Sequence, residues 1–379
     1  MPSEGVKASD LFKPFVDPWY SSLENPEKAQ EWLLHELVKR YGRTDYGERY
    51  DASSVAGMSE YRLKFPVVDY ATLGDYLGRV QKGDTRAFMS EPLVCWVMTR
   101  GSTGPAKVLP VTKTHVDEIL LCGARAILNH VLRTQDFQLM NGRMLNLNLP
   151  SAVHTMSPND LTTLYGYSSG TYAKLHPSYG GLGLVPKQED IDELGAGLTR
   201  KDWKRRFELV YREASAENVT TAYGVTPVIL SFARYLQTEH GLRPKDLWNT
   251  RALFCTSVRK IQFKYGPALR KLYGDVPLIE IYSATEWVFG QQLDQLPYIT
   301  PNYDKYLFEV VTGSGTKMLH ELKRGEWGRL LVSTCLLPRY DIGDMIEAAG
   351  RNYFRVFGRA NWKTMVEHRL YRLLVGQFL

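Results

Sequence analysis

Hydrophobic positions in the first part of the chain follow a helical period at some places and a strand period at others. Residues 26–41 and 69–80 carry apolar side chains at helical spacing, which predicts a helix in each. Residues 93–98 and 108–111 are apolar and rich in β-formers, which predicts two strands on either side of a polar segment. Another helix, capped by the hydroxyl of Thr114 and buried along one face, is predicted to follow the second strand.

The later part of the chain favours strands that alternate with helices. Strands are predicted at 144–150, from 218 onward, at 251–257 and at 277–282, with helices at 201–217, around 229–232 and at 267–274. This order implies parallel βαβ units, whose ligands bind at the carboxyl ends of the strands. Ser257 and Ser283 fall at such ends. Residues 165–183, dense in Gly, Ser and Tyr, are predicted to form a long surface loop. The expected fold class is α/β.

Composition limits the functional classes. The chain has 379 residues, 44% of them hydrophobic and 23% charged, as in a globular protein with two domains or one large one. The net charge of +6 is dispersed, so nucleic acid is not indicated. The four cysteines have no metal-site spacing and are expected to be mostly buried, reduced thiols. His115 and His130 have no partners at ligand spacing and are predicted to be solvated or to cap helices. No signal core or membrane-spanning stretch is recognised, so a cytoplasmic protein without a membrane partner is expected.

The polar segment between the first two strands has the chemistry of a phosphate site. It spans residues 98–107 and contains Gly101, Ser102, Thr103, Gly104 and Lys107. Inward-pointing backbone N–H groups, two hydroxyls and a lysine suit a polyphosphate. The glycine spacing does not match the Walker pattern, and the loop leads back into a strand instead of a helix. A structural glycine-rich hairpin would favour the same residues.

The loop resembles the phosphate loop of adenylate-forming enzymes, roughly Thr-Ser-Gly-Ser/Thr-Thr-Gly-x-Pro-Lys, and matches it at six positions. Residues 282–286 are similar to that family's Tyr-Gly-x-Thr-Glu, and residues 339–344 to its Tyr-x-Thr-Gly-Asp. Residues 357–359 resemble the Gly-Arg at its interdomain hinge. The segments around these blocks resemble the acyl-acid amido synthetases, whose plant members conjugate hormones to amino acids, and their prokaryotic relatives.

The resemblance implies the large N-terminal domain of the adenylate-forming fold. In this fold mixed and parallel sheets are sandwiched by helices, and a smaller β subdomain is added. The large domain would span residues 1–357, and residues 358–379 would form the hinge and a short tail. The family's C-terminal lid domain is expected to be absent, which leaves either a truncated version of the enzyme or a chain served by a partner domain in trans.

The resemblance also implies ATP and Mg²⁺ as cofactors and a set of site residues. Lys107, Thr285 and Glu286 would be catalytic, and Glu286 would also hold the metal. The implied nucleotide contacts are Thr99, Gly101, Ser102, Thr103, Gly104, Ser257, Tyr282, Ser283, Ala284, Asp344 and Arg359. His154 and Gly290 would lie near the acid substrate, although His154 also suits an ordinary loop position.

The implied reaction is activation of a carboxylic acid to acyl-AMP with release of pyrophosphate, followed by transfer to an amine of the amino-acid type. Two alternatives remain at the level of sequence. One is an acyl-CoA ligase that uses the same intermediate, and the other is a nucleotide-binding protein without full catalysis.

Overall fold

The structure is a computed structural model that describes residues 8–100, 106–157, 162–285 and 287–375. The α-helices are α1 (Ala8–Glu24), α2 (Pro26–Tyr41), α3 (Asp45–Arg49), α4 (Met58–Lys64), α5 (Gly74–Gln81), α6 (Lys113–Thr134), α7 (Ser168–Leu175), α8 (Gln188–Glu193), α9 (Arg200–Ala214), α10 (Thr226–Tyr235), α11 (Pro244–Leu247), α12 (Gly266–Tyr273) and α13 (Trp362–Val375). Among these helices, none is both long enough and apolar enough to cross a bilayer.

The strands are β1 (Leu93–Met98), β2 (Val108–Thr112), β3 (Arg143–Leu145), β4 (His154–Met156), β5 (Thr163–Tyr167), β6 (Ser178–Tyr179), β7 (Leu182–Val185), β8 (Val219–Val225), β9 (Ala252–Thr256), β10 (Leu278–Ser283), β11 (Val288–Gln291), β12 (Thr300–Pro301), β13 (Leu307–Thr312), β14 (Gly315–Met318), β15 (Trp327–Ser333), β16 (Tyr340–Gly350) and β17 (Tyr353–Arg359). Two compact units contain these elements. The first unit comprises Met1–Pro18, Arg79–Thr85 and Glu91–Pro297, and the second comprises Trp19–Gly78, Arg86–Ser90 and Tyr298–Leu379.

Two sheets build the first unit. A four-stranded sheet has the order β2-β1-β5-β4, and a larger sheet runs β11-β10-β9-β8-β3-β7-β6. The neighbours β8, β9 and β10 are parallel, as the alternation of strands and helices predicts. Helices α9, α10 and α12 cover one face of the larger sheet with a continuous apolar core that includes Phe207, Ile229, Leu253 and Leu269. The predicted α/β class is therefore confirmed.

The second unit is built on an antiparallel sheet with the order β14-β13-β15-β16-β17. Helix α2 belongs to this unit and contacts the segment before β13 through Gln30, whose side-chain amide donates to the carbonyls of Tyr303 and Tyr306, at 2.8 Å each. On β17, the ring of Phe357 stacks on His368 of α13 with centroids 3.9 Å apart. These contacts join helices that are distant in sequence to a single sheet.

A buried carboxylate organises the interior of the second unit. Glu309 on β13, 1% exposed, accepts hydrogen bonds from Nε of Arg62 at 2.8 Å and from Nε of Arg339 at 3.0 Å. Arg339 is itself buried and donates further to the carbonyl of Phe65 at 2.7 Å. Because every charge in this group has a partner of opposite sign, the cost of burying them is offset.

Most predicted elements are confirmed, with shifted ends. Helix α2 has the predicted bounds, whereas α5 begins only at Gly74. Helix α6 begins one residue before the predicted cap, because the hydroxyl of Thr112 accepts from the amide of His115. Strand β3 ends at Leu145, and the Asn146 side chain instead binds the carbonyl of Pro186 at 3.1 Å.

The predicted loop at 165–183 is wrong. Strand β5, helix α7 and strand β7 occupy this segment. Its residues are poor helix and strand formers, so local propensity does not reveal them. Close packing explains one of the glycines: a Cβ added at Gly170 would lie 2.0 Å from the carbonyl oxygen of Leu149. Tertiary contact has overridden propensity here.

The cysteine prediction is confirmed and the prediction for His115 is wrong. All four cysteines are free thiols, and Cys122, Cys255 and Cys335 are buried. His115 is fully buried instead of solvated, with Nε2 3.1 Å from the hydroxyl of Tyr172. These partners are separated by 57 residues, and no local pattern predicts such a contact.

Candidate functional site

The base of the predicted phosphate loop is closed by two hydrogen bonds. The amide of Thr99 donates to the carbonyl of Lys107 at 2.9 Å, and the amide of Lys107 donates to Oγ1 of Thr99 at 2.9 Å. They extend the antiparallel ladder that pairs Met98 with Val108. Gly101, Ser102, Thr103 and Gly104 lie outside the described residues. The structure thus fixes Thr99 and Lys107 opposite each other where the loop leaves the sheet.

His154 lies in the same four-stranded sheet as the loop. It begins β4, pairs with Tyr165 of β5, and is exposed, with its ring 5.7 Å from that of Tyr165. Strand β5 in turn pairs Tyr167 with Met98, the last residue of β1. His154 is therefore separated from the strand that enters the loop by one intervening strand.

Ser257 follows β9 at the carboxyl edge of the larger sheet. Its backbone has φ +73°, in the left-handed region that non-glycine residues rarely adopt. Its hydroxyl lies 3.0 Å from that of Thr256, and Oγ1 of Thr226 donates to the carbonyl of Thr256 at 2.8 Å. Three hydroxyls thus cluster at the ends of β8 and β9, where parallel sheets bind ligands. Sequence reasoning had found only Ser257 among them.

The second motif forms the end of β10 and the turn into β11. Tyr282 pairs with Gly290, and a register shift follows before Ser283 pairs with Val288. The amide of Ala284 donates to the carbonyl of Trp287 at 2.9 Å, which closes the turn that contains Thr285. Glu286, the predicted metal ligand, lies outside the described residues.

A buried aromatic stack holds the residue that follows Glu286. Trp287 is 1% exposed, and its ring lies 4.2 Å from that of His115 with 18° between the planes. Helix α6 carries His115, so the stack packs this helix against the turn between β10 and β11. The stack was missed from sequence because its two rings come from distant parts of the chain.

Asp344 and Arg359 belong to the second unit and face each other across β16 and β17. They are direct neighbours in the antiparallel register, and Nη1 of Arg359 donates to Oδ1 of Asp344 at 2.9 Å. Gly343 has φ +79°, and a Cβ there would lie 3.3 Å from the Arg359 guanidinium. Glycine therefore suits this position, because it tolerates the positive φ and has no Cβ to crowd the Arg359 guanidinium.

The structure brings some of the predicted residues together. Ser257 directly follows β9, Tyr282 lies on the neighbouring β10, and Gly290 of β11 pairs with Tyr282. Thr99 follows β1 and Lys107 precedes β2 of the four-stranded sheet, and His154 begins its strand β4. Asp344 and Arg359 form their pair in the second unit.

Sequence reasoning missed Glu280, which lies two residues before Tyr282 on β10. Within the described part of the chain its carboxylate has no hydrogen-bond or salt-bridge partner, and burial raises its pKa from 4.5 to about 7. The signal was present, because an acidic residue interrupts the apolar run Leu278-Ile279-Glu280-Ile281. A partly buried carboxyl whose pKa is raised is a candidate functional group.

Glu280→Gln is expected to stabilise the protein at high pH. The folded state keeps on Glu280 a proton that the unfolded chain releases above its ordinary pKa, so stability is lost as pH rises from about 4.5 to about 7. Above pH 7 the raised pKa lowers the free energy of unfolding by on the order of 3 kcal/mol. Urea unfolding at about pH 8 should show the variant to be more stable, with the difference vanishing near pH 4. The exposed Glu213→Gln is the control, and an equal effect in both variants would contradict the assignment.

Residues 19–179 match the model of the GH3 family N-terminal domain. Residues 19–179 are thus similar to a GH3 N-terminal domain, and the fold is similar to that of solved acyl acid amido synthetase and acyl-CoA ligase structures. An indole-3-acetic acid-amido synthetase, GH3.8 of Oryza sativa subsp. indica, is 24% identical over 91% of this chain and 67% of its own length.

Other relatives of the GH3 domain match over shorter stretches. The amido synthetase GH3.2 of Arabidopsis thaliana is 30% identical, over 24% of this chain and only 17% of its own length. Among solved structures, AtGH3.15 acyl acid amido synthetase in complex with 2,4-DB has a TM-score of 0.69 at 14% identity, covering 94% of this chain and 72% of that one. A 2-hydroxyisobutyryl-CoA ligase has a TM-score of 0.60 at 14% identity, covering 94% and 70%. These likenesses establish the fold.

Proposed function

We propose that this GH3-related chain activates a carboxylic acid with ATP and passes the acyl group to an amine of the amino-acid type. A carboxylate oxygen of the acid would attack the α-phosphorus, forming an acyl-AMP bond while the bond to pyrophosphate breaks. The amine nitrogen would then attack the acyl carbon, forming the amide bond while the bond to AMP breaks and the amine loses a proton. Such a reaction depends mainly on positioning and on neutralising charge. The observation that best supports the proposal is that Ser257 and Tyr282 lie at the carboxyl ends of the parallel strands β9 and β10, with Gly290 paired with Tyr282 on the antiparallel β11.

The residues present suit the proposed cofactors. Lys107, fixed at the loop base, and the hydroxyls of Ser102 and Thr103 would hold the β- and γ-phosphates. Thr285 would contact the α-phosphate, and Thr99, Gly101, Gly104, Ser257, Tyr282, Ser283 and Ala284 would line the nucleotide. Glu286 would hold Mg²⁺, because that ion prefers carboxylate oxygens together with phosphates. Asp344 would accept the ribose hydroxyls, with Arg359 beside it, and His154 and Gly290 would contact the acid.

The deciding experiment is acid-dependent exchange of radiolabelled pyrophosphate into ATP, run with a panel of carboxylic acids. Exchange that requires an acid supports adenylation, whereas nucleotide binding without any exchange would indicate a binding protein. End-point assays with amino acids and with coenzyme A then separate the amido synthetase from the acyl-CoA ligase, which the likeness to 2-hydroxyisobutyryl-CoA ligase keeps as a second candidate. The free, mostly buried cysteines suit a cytoplasmic location for either enzyme.

Asp344→Ala is expected to weaken ATP binding by roughly tenfold to a hundredfold, because a charged hydrogen-bond acceptor is worth about 1.5–3 kcal/mol. Calorimetric titration measures this loss, and Glu286→Gln should show a comparable loss that depends on Mg²⁺. The matched control is Glu347→Ala, which removes another cross-strand pair from the same ladder, Glu347 with Arg355. Equal affinities in Asp344→Ala and the wild type would remove Asp344 from the site.

A further inference from the structure

A cavity of the first unit lies at the amino ends of β9 and β10, the edge of the larger sheet opposite Ser257 and Tyr282. Its volume is about 240 Å³, and its walls come from the end of α6 and from the segments that lead into the two strands. Arg251 directly precedes β9 and Ser257 directly follows it, so these two residues lie about 20 Å apart along the strand. The cavity is therefore separate from the proposed adenylation site.

Two polar side chains in the walls of this cavity have no hydrogen-bond partner among the described residues. Thr250 is 7% exposed, and its hydroxyl is buried without a partner. The imidazole of His130 makes no hydrogen bond either, and its ring packs edge-on against Phe254. Burial lowers the pKa of His130, so the neutral ring offers one donor and one acceptor. Both side chains can therefore bind a ligand without giving up an existing hydrogen bond.

Arg251 adds a charged donor to the same cavity. Its Nε and Nη2 donate to the two carboxylate oxygens of Asp136 at 2.8 Å each, and its Nη1 donates to no described residue. The pair also holds the pKa of Asp136 below its usual value, so the carboxylate remains ionised and fixes the guanidinium plane. Because the arginine side chain is 29% exposed, a ligand in the cavity can reach the remaining nitrogen.

The charges of the walls favour one class of ligand. A simple anion would lie near two carboxylates, Asp136 and Asp275, and a simple cation would lie near Arg251. A metal ion is not indicated, because no three ligating side chains are grouped within the described ranges. A molecule with one charge of each sign finds a partner for both, since Asp275 is 98% exposed at the rim and suits an ammonium group. Sites for drug-sized ligands have about 300–1,000 Å³, so this ligand is smaller.

We propose that this cavity binds a small zwitterion, of which a short amino acid is the simplest example. Its carboxylate would accept hydrogen bonds from Nη1 of Arg251 and from the hydroxyl of Thr250, and its ammonium group would face Asp275. The hydrocarbon part would contact Val276 and Pro277, the apolar residues of the wall. This binding site does not depend on the proposed adenylation and is tested without ATP or an acid substrate.

A nuclear magnetic resonance titration of the full chain with labelled histidine tests the proposal. The signals of His130 and His154 are assigned with His130→Gln and His154→Gln, so that one reports on the cavity and the other on the proposed adenylation site. The ligands are glycine, alanine, β-alanine and 4-aminobutyrate, each with the matched acid that lacks the ammonium group and the matched amine that lacks the carboxylate.

The best zwitterion should shift the His130 signal in a saturable way and leave the His154 signal in place. Removing either charged group should weaken its binding by about tenfold to a hundredfold, the value of a charge-assisted hydrogen bond. A response of His154 alone would place the amino acid at the other edge of the sheet and overturn the proposal. A His130 signal that no zwitterion shifts at tens of millimolar would overturn it as well.

Three variants separate recognition from structure. Thr250→Val removes a hydroxyl that has no partner, so the fold should be as stable as before while the zwitterion binds at least about fivefold more weakly. The matched control is Thr134→Val, whose hydroxyl already donates to the carbonyl of His130 at 2.8 Å, and its affinity should equal that of the wild type. Asp275→Asn should abolish the preference for the zwitterion over the matched acid. Equal affinities in Thr250→Val, Asp275→Asn and the wild type would contradict the assigned contacts.

Discussion

Lys107→Ala is expected to slow acid-dependent pyrophosphate exchange by about 10²–10³, while ATP binding weakens by less. The lysine is held at the loop base by two hydrogen bonds to Thr99, and both run through its backbone, so the substitution leaves them intact. The lost charge matters most in the transition state, where negative charge builds on the departing pyrophosphate. Exchange rate and calorimetric affinity, measured on the same protein preparation, separate the two effects.

Two further variants control this prediction. Lys113→Ala removes an exposed lysine six residues later, whose partner is Asp117, and should leave exchange unchanged. Thr99→Val removes only the side-chain acceptor at the loop base and should reduce both rate and affinity. If Lys107→Ala exchanges at the wild-type rate, the segment is a structural hairpin and the phosphate role is wrong.

Glu309→Ala is expected to destabilise the chain by about 3–5 kcal/mol, the cost of leaving a buried charge without its partner. Its carboxylate is shared by Arg62 and Arg339, and the Arg339 side chain is only 7% exposed. Urea unfolding, followed by tryptophan fluorescence and circular dichroism, measures the loss. The triple variant Glu309→Leu with Arg62→Met and Arg339→Met should recover part of it, because apolar residues of similar size replace a buried ion group well when every member is replaced.

A surface pair provides the comparison. Arg86 pairs with Asp45 while its side chain is 61% exposed, so Arg86→Ala should cost less than about 1 kcal/mol. A loss of that small size in Glu309→Ala would show that the buried group contributes little, and the stability of the second unit would then lie in its apolar contacts.

The hydrophobic periodicity predicted two kinds of element correctly: helices with one apolar face and strands that are buried on both faces. Strand β9 is buried along its whole length because helices cover it, and α2 has one clear apolar face, so both patterns are visible in sequence. Helix α7 was missed because Gly170 and its serine neighbours are selected by packing against Leu149 and not by helix propensity. The limits of β3 were missed because Asn146 makes its hydrogen bonds to a distant segment.

The candidate-site residues that belong to short sequence motifs could be predicted. Those that are brought together only by tertiary contacts could not. Ser257 and the residues around Tyr282 were found because short sequence blocks mark the ends of strands. The stack of Trp287 on His115 depends on the meeting of a turn and a helix that are far apart in sequence. Glu280 was overlooked because a single acidic residue in an apolar run gains meaning only when its neighbours across the sheet are known.

The pairing of Asp344 with Arg359 bears on which sugar the proposed site would accept. Both side chains extend from directly opposed positions of one ladder, so the carboxylate is oriented by the backbone before any nucleotide arrives. An acceptor oriented in advance distinguishes ligands by the hydroxyls they carry, because a missing hydroxyl leaves an oxygen facing no donor. ATP would therefore be preferred over its 2′-deoxy and 3′-deoxy analogues, and adenylation would draw on the ribonucleotide pool even where deoxynucleotides are abundant.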